Sequence, residues 1–404
     1  MNQEIIITFI SKDQPGLIHR ITDIIAKQGV NIVDIDQSVV RGIFSIILVC
    51  DPSTSELDTE KCFETIKASL EKVKSETSGY LLIDFNKLET KKRVAANRYI
   101  KVTVLGKDAP GIVAKISGIV FNYHYNIENV QMISRKDIFA MDVMVSHPDD
   151  KETVNRFKKT LKESIDSDDL SVIIQDENIF SEEKKLVVFD MDSTLIQQEC
   201  INELGSALNL KERIAKITED AMNGKIDFKD ALKKRVGLLK GVEEAFLKKV
   251  ADNLSFTPGA KELVDSLKKM GYKIALVSGG FSYFTNIVKE KLGLDYAFGN
   301  ELIIEDGKLT GEINENFIID ANQKAKIQKW LAQIEGIPPK SIVCIGDGAN
   351  DRIMIQNSGL GIGFRPKKIL KSVADGIINE ENLIGILYAL GDLKKRKFQE
   401  QNNA

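Results

Sequence analysis

The sequence predicts an α/β protein: a doubly wound parallel-sheet domain with an inserted helical cap, preceded by two small βαββαβ units. Three observations carry this. A loop motif near the amino terminus recurs further along with its flanking strand and helix, and a charged stretch after Asp176 marks a change of texture. Beyond it, short unbroken apolar runs alternate with helical stretches, as buried parallel strands do.

The chain has 404 residues, 43% hydrophobic and 28% charged, enough for two or three ordinary globular domains. Its 56 basic and 59 acidic residues give a formal charge of -3, which provides no broad positive field for nucleic acid. No apolar run approaches the roughly 20 residues that cross a bilayer, and Met1-Asn2-Gln3-Glu4 lacks the basic flank of a signal peptide, so no membrane is expected and the cytoplasm is the expected location. Cys50, Cys62, Cys200 and Cys344 are scattered without a CxxC pair, and are expected as small buried hydrophobes rather than zinc ligands or a disulfide framework.

Lys12-Asp13-Gln14-Pro15-Gly16-Leu17 recurs as Lys107-Asp108-Ala109-Pro110-Gly111-Ile112, and Asn31-Ile32 returns as Asn126-Ile127 at the same offset. Each copy follows an alternating strand, Ile5 to Phe9 in one and Ile100 to Val104 in the other, and each precedes strand-like runs such as Phe44 to Val49. Two units are therefore expected, over 1–85 and 97–176, with the Asp-x-Pro-Gly tetrad turning strand into helix. The pattern resembles the ferredoxin-like ACT domain, a regulatory module. That resemblance implies an amino-acid effector at the interface between copies, or a purely dimerising role, and a homodimer.

The polar stretch between Asp176 and Lys185 is expected as an exposed connection to the remaining domain, over 185–395. Leu186 to Phe189, Ile274 to Val277 and Ile342 to Ile345 read as its parallel strands, and ligands of such sheets sit beyond the carboxyl ends of the strands. Those ends carry Asp190-Met191-Asp192-Ser193-Thr194, Ser278-Gly279-Gly280 and Gly346-Asp347-Gly348-Ala349-Asn350-Asp351. Leu302 to Gly311 reads as a hairpin closed at Asp306-Gly307, and Trp330 is expected in the core. His19, His124 and His147 all lie in the front half, away from these loops.

The first loop offers two carboxylates at i and i+2, which point the same way in an extended segment. A carboxylate attacks a phosphate dianion only if their mutual repulsion is cancelled, most simply by a divalent cation held in the same acid cluster. Magnesium suits such oxygen donors, with Asp190, Asp347 and the main-chain carbonyl of Asp192 as the expected protein ligands. Ser278 and the amide of Gly279 would donate to phosphoryl oxygens, and Lys324 would supply a cation against the transferring group.

In this order the motifs resemble the haloacid dehalogenase superfamily of phosphohydrolases, over about 185–390. The resemblance implies that Asp190 is the nucleophile, that Asp192 is the general acid and base, and that Asp351 supports Lys324 or meets the metal through water. Asp190-Met191-Asp192-Ser193-Thr194-Leu195 with Glu199, Phe256-Thr257-Pro258-Gly259, and Val277-Ser278-Gly279-Gly280-Phe281 look most like the branch that hydrolyses O-phospho-L-serine, in the last step of L-serine biosynthesis. It implies a helical cap over about 200–255, with Glu199 and Arg235 for the amine and carboxylate of the substrate and Asn350 for a substrate oxygen. Arg352 departs from the pattern, standing where relatives carry an apolar residue. Two rival readings remain open: a phosphotransferase on the same scaffold passing the group to another alcohol such as homoserine, and a catalytically silent amino-acid sensor.

Overall fold

The computed structural model describes residues 4–85, 98–134, 138–148, 150–166, 170–222 and 225–390. The expected start of the second unit at 97 and the expected end of the last domain at 395 lie outside them. The chain forms two compact units, Met1–Ala95 and Ala96–Ala404.

The first unit runs β1 (Ile5–Lys12), α1 (Leu17–Ala26), β2 (Asn31–Val40), β3 (Ile43–Asp51), α2 (Thr59–Thr77) and β4 (Tyr80–Phe85). Its antiparallel sheet has the order β2-β3-β1-β4. Alternation in β1 turns Ile5, Ile7 and Phe9 toward Ile21, Ile66 and Leu70 on the helices, and this small core holds the unit together. At the repeated tetrad, Gly16 precedes α1 with φ 88, a left-handed geometry that glycine adopts without strain.

The second unit opens with the same succession: β5 (Arg98–Gly106), α3 (Ile112–Asn122), β6 (Asn126–Ser134), β7 (Phe139–His147), α4 (Lys151–Asp166) and β8 (Ser171–Asp176). Gly111 repeats the role of Gly16, with φ 97. The following stretch is less open than its composition suggests. It forms a short helix, α5 (Glu177–Phe180), and Lys184 is buried with its ammonium on the carbonyls of Ile179 and Glu182.

Then come β9 (Leu186–Phe189), four helices α6 (Cys200–Ala207), α7 (Lys211–Met222), α8 (Phe228–Gly237) and α9 (Glu244–Asp252), and α10 (Ala260–Lys269). The chain continues through β10 (Lys273–Phe281), α11 (Ser282–Leu292), β11 (Tyr296–Asn300), the hairpin β12 (Leu302–Glu305) and β13 (Lys308–Ile313), and α12 (Ala321–Ile334). It closes with β14 (Ile342–Gly346), α13 (Arg352–Gln356), β15 (Leu360–Phe364), α14 (Lys368–Lys371), β16 (Gly376–Ile378) and α15 (Gly385–Ala389). The hairpin turns at Asp306 and Gly307, both at positive φ, as its two-residue loop requires.

Strands β11-β10-β9-β14-β15-β16 are mutually parallel; β9, β14, β15 and β16 are buried throughout and β10 for most of its length, which explains their apolar composition, while β11 at the end of the sheet is half-buried. The sheet does not end there. β16 pairs antiparallel with β8, so the order continues β8-β5-β7-β6 and one ten-stranded sheet runs through both halves of this unit. Lys162 donating to the Ala374 carbonyl and Gln175 to the Ala389 carbonyl tie the same seam.

All four cysteines are buried and free. Trp330 is a correction: it is 50% exposed on α12, its ring edge-on to Phe298. The buried stripe of α12 runs through Lys324, Ile327, Gln328 and Leu331, and Trp330 lies off that stripe. No described helix is long and apolar enough to cross a membrane.

Candidate active site

Strand order builds the site. Because β9 lies between β10 and β14, the residues at the carboxyl ends of these strands are neighbours at one end of the sheet, where adjacent strands run about 4.8 Å apart. Asp190, Ser278 and Asp347 stand there side by side, and the Asp190 N–H donates to the Ile345 carbonyl at 2.9 Å.

After Asp190 the chain makes one widened turn, with Asp192 extended (φ -66, ψ 133) and Ser193 left-handed (φ 57). This turn is pinned: the Asp192 carboxylate accepts the Cys200 N–H at 2.8 Å, and the Thr257 hydroxyl donates to the Thr194 carbonyl at 2.6 Å. The Ser278 hydroxyl donates to Asp192 Oδ2 at 3.4 Å and accepts the Gly280 N–H at 2.8 Å. Asn300, at the end of β11, donates to the Gly279 carbonyl at 2.7 Å and accepts the Ile319 N–H at 2.8 Å, fixing the loop from behind.

A cavity of about 510 Å³ opens above these loops. Its lining includes Asp190, Asp192, Glu199, Arg235, Ser278, Gly279, Asp347 and Asn350, so eight of the sequence-derived candidates face one space. Glu199 precedes α6 and Arg235 lies on α8, so helices α6 to α8 of the insertion supply the wall opposite the strand ends. Phe228, Leu232 and Ile201 give that wall an apolar part.

Lys324 and Asp351 are placed differently. Lys324 is fully buried beneath the cavity, its ammonium 2.6 Å from Asp190 Oδ1 and 2.7 Å from Asp351 Oδ1. Asp351 also accepts the Gly348 N–H at 3.1 Å. Gly346 is required here: a Cβ on it would stand 2.4 Å from the Asp351 carboxyl carbon.

Burial and the charge of Asp351 push the Asp190 carboxyl well above the usual carboxylate range, against the pull of Lys324. Burial and Glu199 push Asp192 up to about 6. Burial alone would lower Lys324, but Asp190 and Asp351 outweigh it and raise its pKa, so it stays charged. Burial raises Asp347, opposed by Lys367. Arg235 is lowered by burial and supported by Glu199 and Asp192.

The site thus crowds buried acidic groups that hold their protons more tightly than free carboxyls do, for want of enough positive charge. Asp190, Asp347 and Asp351 each offer a ligand atom, all within 4.8 Å of one another, a set that fits a hard divalent cation with oxygen ligands.

Two contributors escaped the sequence reading. Asn300 supports the Ser278 loop from a strand whose polar end gave no signal. Lys367, just after β15, pairs with Asp347 at 3.0 Å and lines the cavity; its position after a fourth parallel strand end was the available clue.

A model of haloacid dehalogenase-like hydrolases matches residues 187–356, and an ACT domain model matches residues 3–78 and 98–175. A phosphoserine phosphatase of Archaeoglobus fulgidus is 43% identical over 336 residues, covering 83% of this chain and 95% of the relative. One from Streptomyces coelicolor is 32% identical over 390 residues, 96% of this chain and 92% of the relative. Among solved structures, a probable phosphoserine phosphatase from Vibrio cholerae in unliganded form matches with a TM-score of 0.55 at 30% identity, covering 74% of this chain and 88% of that one.

Proposed function

The chain belongs to the phosphoserine phosphatase family, and on that premise we propose that it hydrolyses O-phospho-L-serine to L-serine and phosphate through an aspartyl-phosphate on Asp190. The observation that carries this reading is the convergence of Asp190, Asp192 and Asp347 with Ser278, Glu199 and Arg235 on one cavity.

In this mechanism a carboxylate oxygen of Asp190 attacks phosphorus in line with the ester oxygen. The phosphorus–oxygen ester bond breaks, and Asp192, protonated, gives its proton to the departing serine oxygen. Water then attacks the phosphoryl group, losing its proton to Asp192. Inorganic phosphate leaves and Asp190 returns to its starting form. Ser278 Oγ and the amide of Gly279 donate to phosphoryl oxygens, while Lys324 holds one oxygen of Asp190 and so fixes the direction of attack. Asn350 donates to a substrate oxygen. Glu199 takes the ammonium group of the substrate, and Arg235 takes its carboxylate with two parallel hydrogen bonds.

The metal ligands in this reading are Asp190, Asp347 and the Asp192 carbonyl, with Asp351 behind them. Magnesium, when bound there, supplies the positive charge that allows a carboxylate to approach a phosphate dianion. The two ACT domains are read as the place where an amino-acid effector acts, in a homodimer.

Steady-state phosphate release across a panel of phosphorylated amino acids, with and without magnesium and free serine, tests the assignment. Phosphoserine should be the preferred substrate and chelation should remove the activity; equal rates across the panel would reject the substrate. Arg235→Ala is expected to lower kcat/KM for phosphoserine by about 100-fold, the scale of a lost charge-assisted pair, with far less effect on an aryl phosphate. An equal loss on both would reject carboxylate binding by Arg235.

A pH dependence follows from Asp192. Below its pKa of about 6 the group is protonated and cannot take the proton of the attacking water. A bound cation lowers that value, so hydrolysis of the phosphoenzyme should show an acid limb at or below about pH 6. Single-turnover decay of the phosphoenzyme against pH measures this, and Asp192→Asn should abolish the limb together with most of the decay.

A further inference from the structure

The cavity above the strand ends is lined by four carboxylates, Asp190, Asp192, Glu199 and Asp347, against two cations, Arg235 and Lys367. Lys324, fully buried, is not part of the lining. Arg235 belongs to the cap wall, so Lys367 is the cation of the lining at the Asp347 end.

Its attachment is specific. The main-chain N–H of Lys367 donates to the Asp347 carbonyl at 2.8 Å, and its ammonium lies 3.0 Å from Asp347 Oδ2. A second cavity of about 410 Å³, lined by Ser193, Gln197, Thr257 and Arg365 among others, also includes Asp347 and Lys367. The Asp347–Lys367 pair is therefore the wall shared by two cavities. The fields of Glu199 and Asp190 also reach this ammonium.

We propose that Lys367 sets the field at the Asp347 end of the cavity in two opposite senses, opposing a divalent cation there and drawing a phosphate anion into the same space. This rests on the phosphatase reading given above. Magnitudes decide between this role and simple bracing of Asp347. The lysine side chain is 56% exposed and the Asp347 side chain 9%, and the main-chain bond from Lys367 to the Asp347 carbonyl does not depend on the ammonium, so replacing the side chain removes a charge and keeps that anchor. Its repulsion of a doubly charged ion is twice that of a single charge at the same distance, and a phosphate dianion feels the same factor with the opposite sign.

The test uses the full-length protein and three forms: wild type, Lys367→Gln and Lys367→Arg. Calorimetric titration of the substrate-free protein with magnesium chloride should show tighter binding in Lys367→Gln by about threefold to tenfold. Inorganic phosphate, as a competitive inhibitor, and phosphoserine, through KM, should each bind more weakly by a similar factor. Lys367→Arg, which keeps the charge, should restore both toward wild type. Weakening of cation and anion together would show a bracing role and overturn the proposal, and so would unchanged affinity for both. The calorimetric arm needs no turnover. If wild type releases no phosphate from phosphoserine, the enzymatic reading falls; if magnesium binds wild type and Lys367→Gln equally, the role of Lys367 falls.

Discussion

Asp190→Asn is expected to lower phosphate release from phosphoserine by on the order of 10⁴-fold or more while leaving the protein folded, a loss on the scale seen when a covalent nucleophile is removed. The physical reason is local. Asp190 stands at the end of a buried strand, 3% exposed, with one oxygen held by Lys324 at 2.6 Å. An amide in its place is nearly isosteric and can still meet neighbouring groups, but it has no lone pair of comparable basicity to offer phosphorus. Circular dichroism and thermal melting should report an intact fold. Phosphate release near the wild-type rate would remove Asp190 as nucleophile and leave no other residue in this account to replace it.

The second large effect concerns Lys324. Replacing it by methionine, of similar length, leaves the carboxylates of Asp190 and Asp351 facing a buried space without a counter-charge. Breaking a buried pair in this way costs about 3 to 5 kcal/mol, because the abandoned charges have no water to turn to. Lys324→Met should therefore lose that much stability in denaturant unfolding, and at least about 10³-fold in turnover, since the attacking carboxylate is no longer oriented. The double variant Lys324→Met with Asp351→Asn should recover much of the stability and little of the activity. If the double variant is as unstable as the single one, charge is not the reason the lysine is there.

Much of this site was legible because its chemistry is punctuated. Asp190, Ser278 and Asp347 each come after an apolar run, and a polar residue there falls at the carboxyl end of a buried strand, inside β10 for Ser278 and just beyond β9 and β14 for the other two. Spacing could not give the order β10-β9-β14, and it is that order which makes the three loops neighbours. Glu199 and Arg235 were accessible only through resemblance, since an acid and a basic run on exposed-looking helices carry no signal of a shared wall. Lys324 was recognised as a cation, but its complete burial between two carboxylates depends on the phase of α12, the same phase that leaves Trp330 half exposed.

The fusion of two sheets through β16 and β8 was also hidden. β16 is three residues long, Gly376–Ile378, too short for any periodicity, and its pairing with β8 spans most of the unit's sequence. The repeated units were easier. Their Pro-Gly turns and alternating strands are local patterns, and the left-handed geometry of Gly16 and Gly111 explains why the same residue recurs at both turns.

The central claim is that a carboxylate oxygen of Asp190 becomes bonded to phosphorus during turnover. Rapid acid quench of the protein with magnesium and phosphoserine, followed by borohydride reduction and peptide mapping, tests it directly, because reduction converts an aspartyl-phosphate to homoserine. The account predicts homoserine at position 190 in wild type and none in Asp190→Asn. Conversion at another aspartate, or full turnover with none at all, would contradict it.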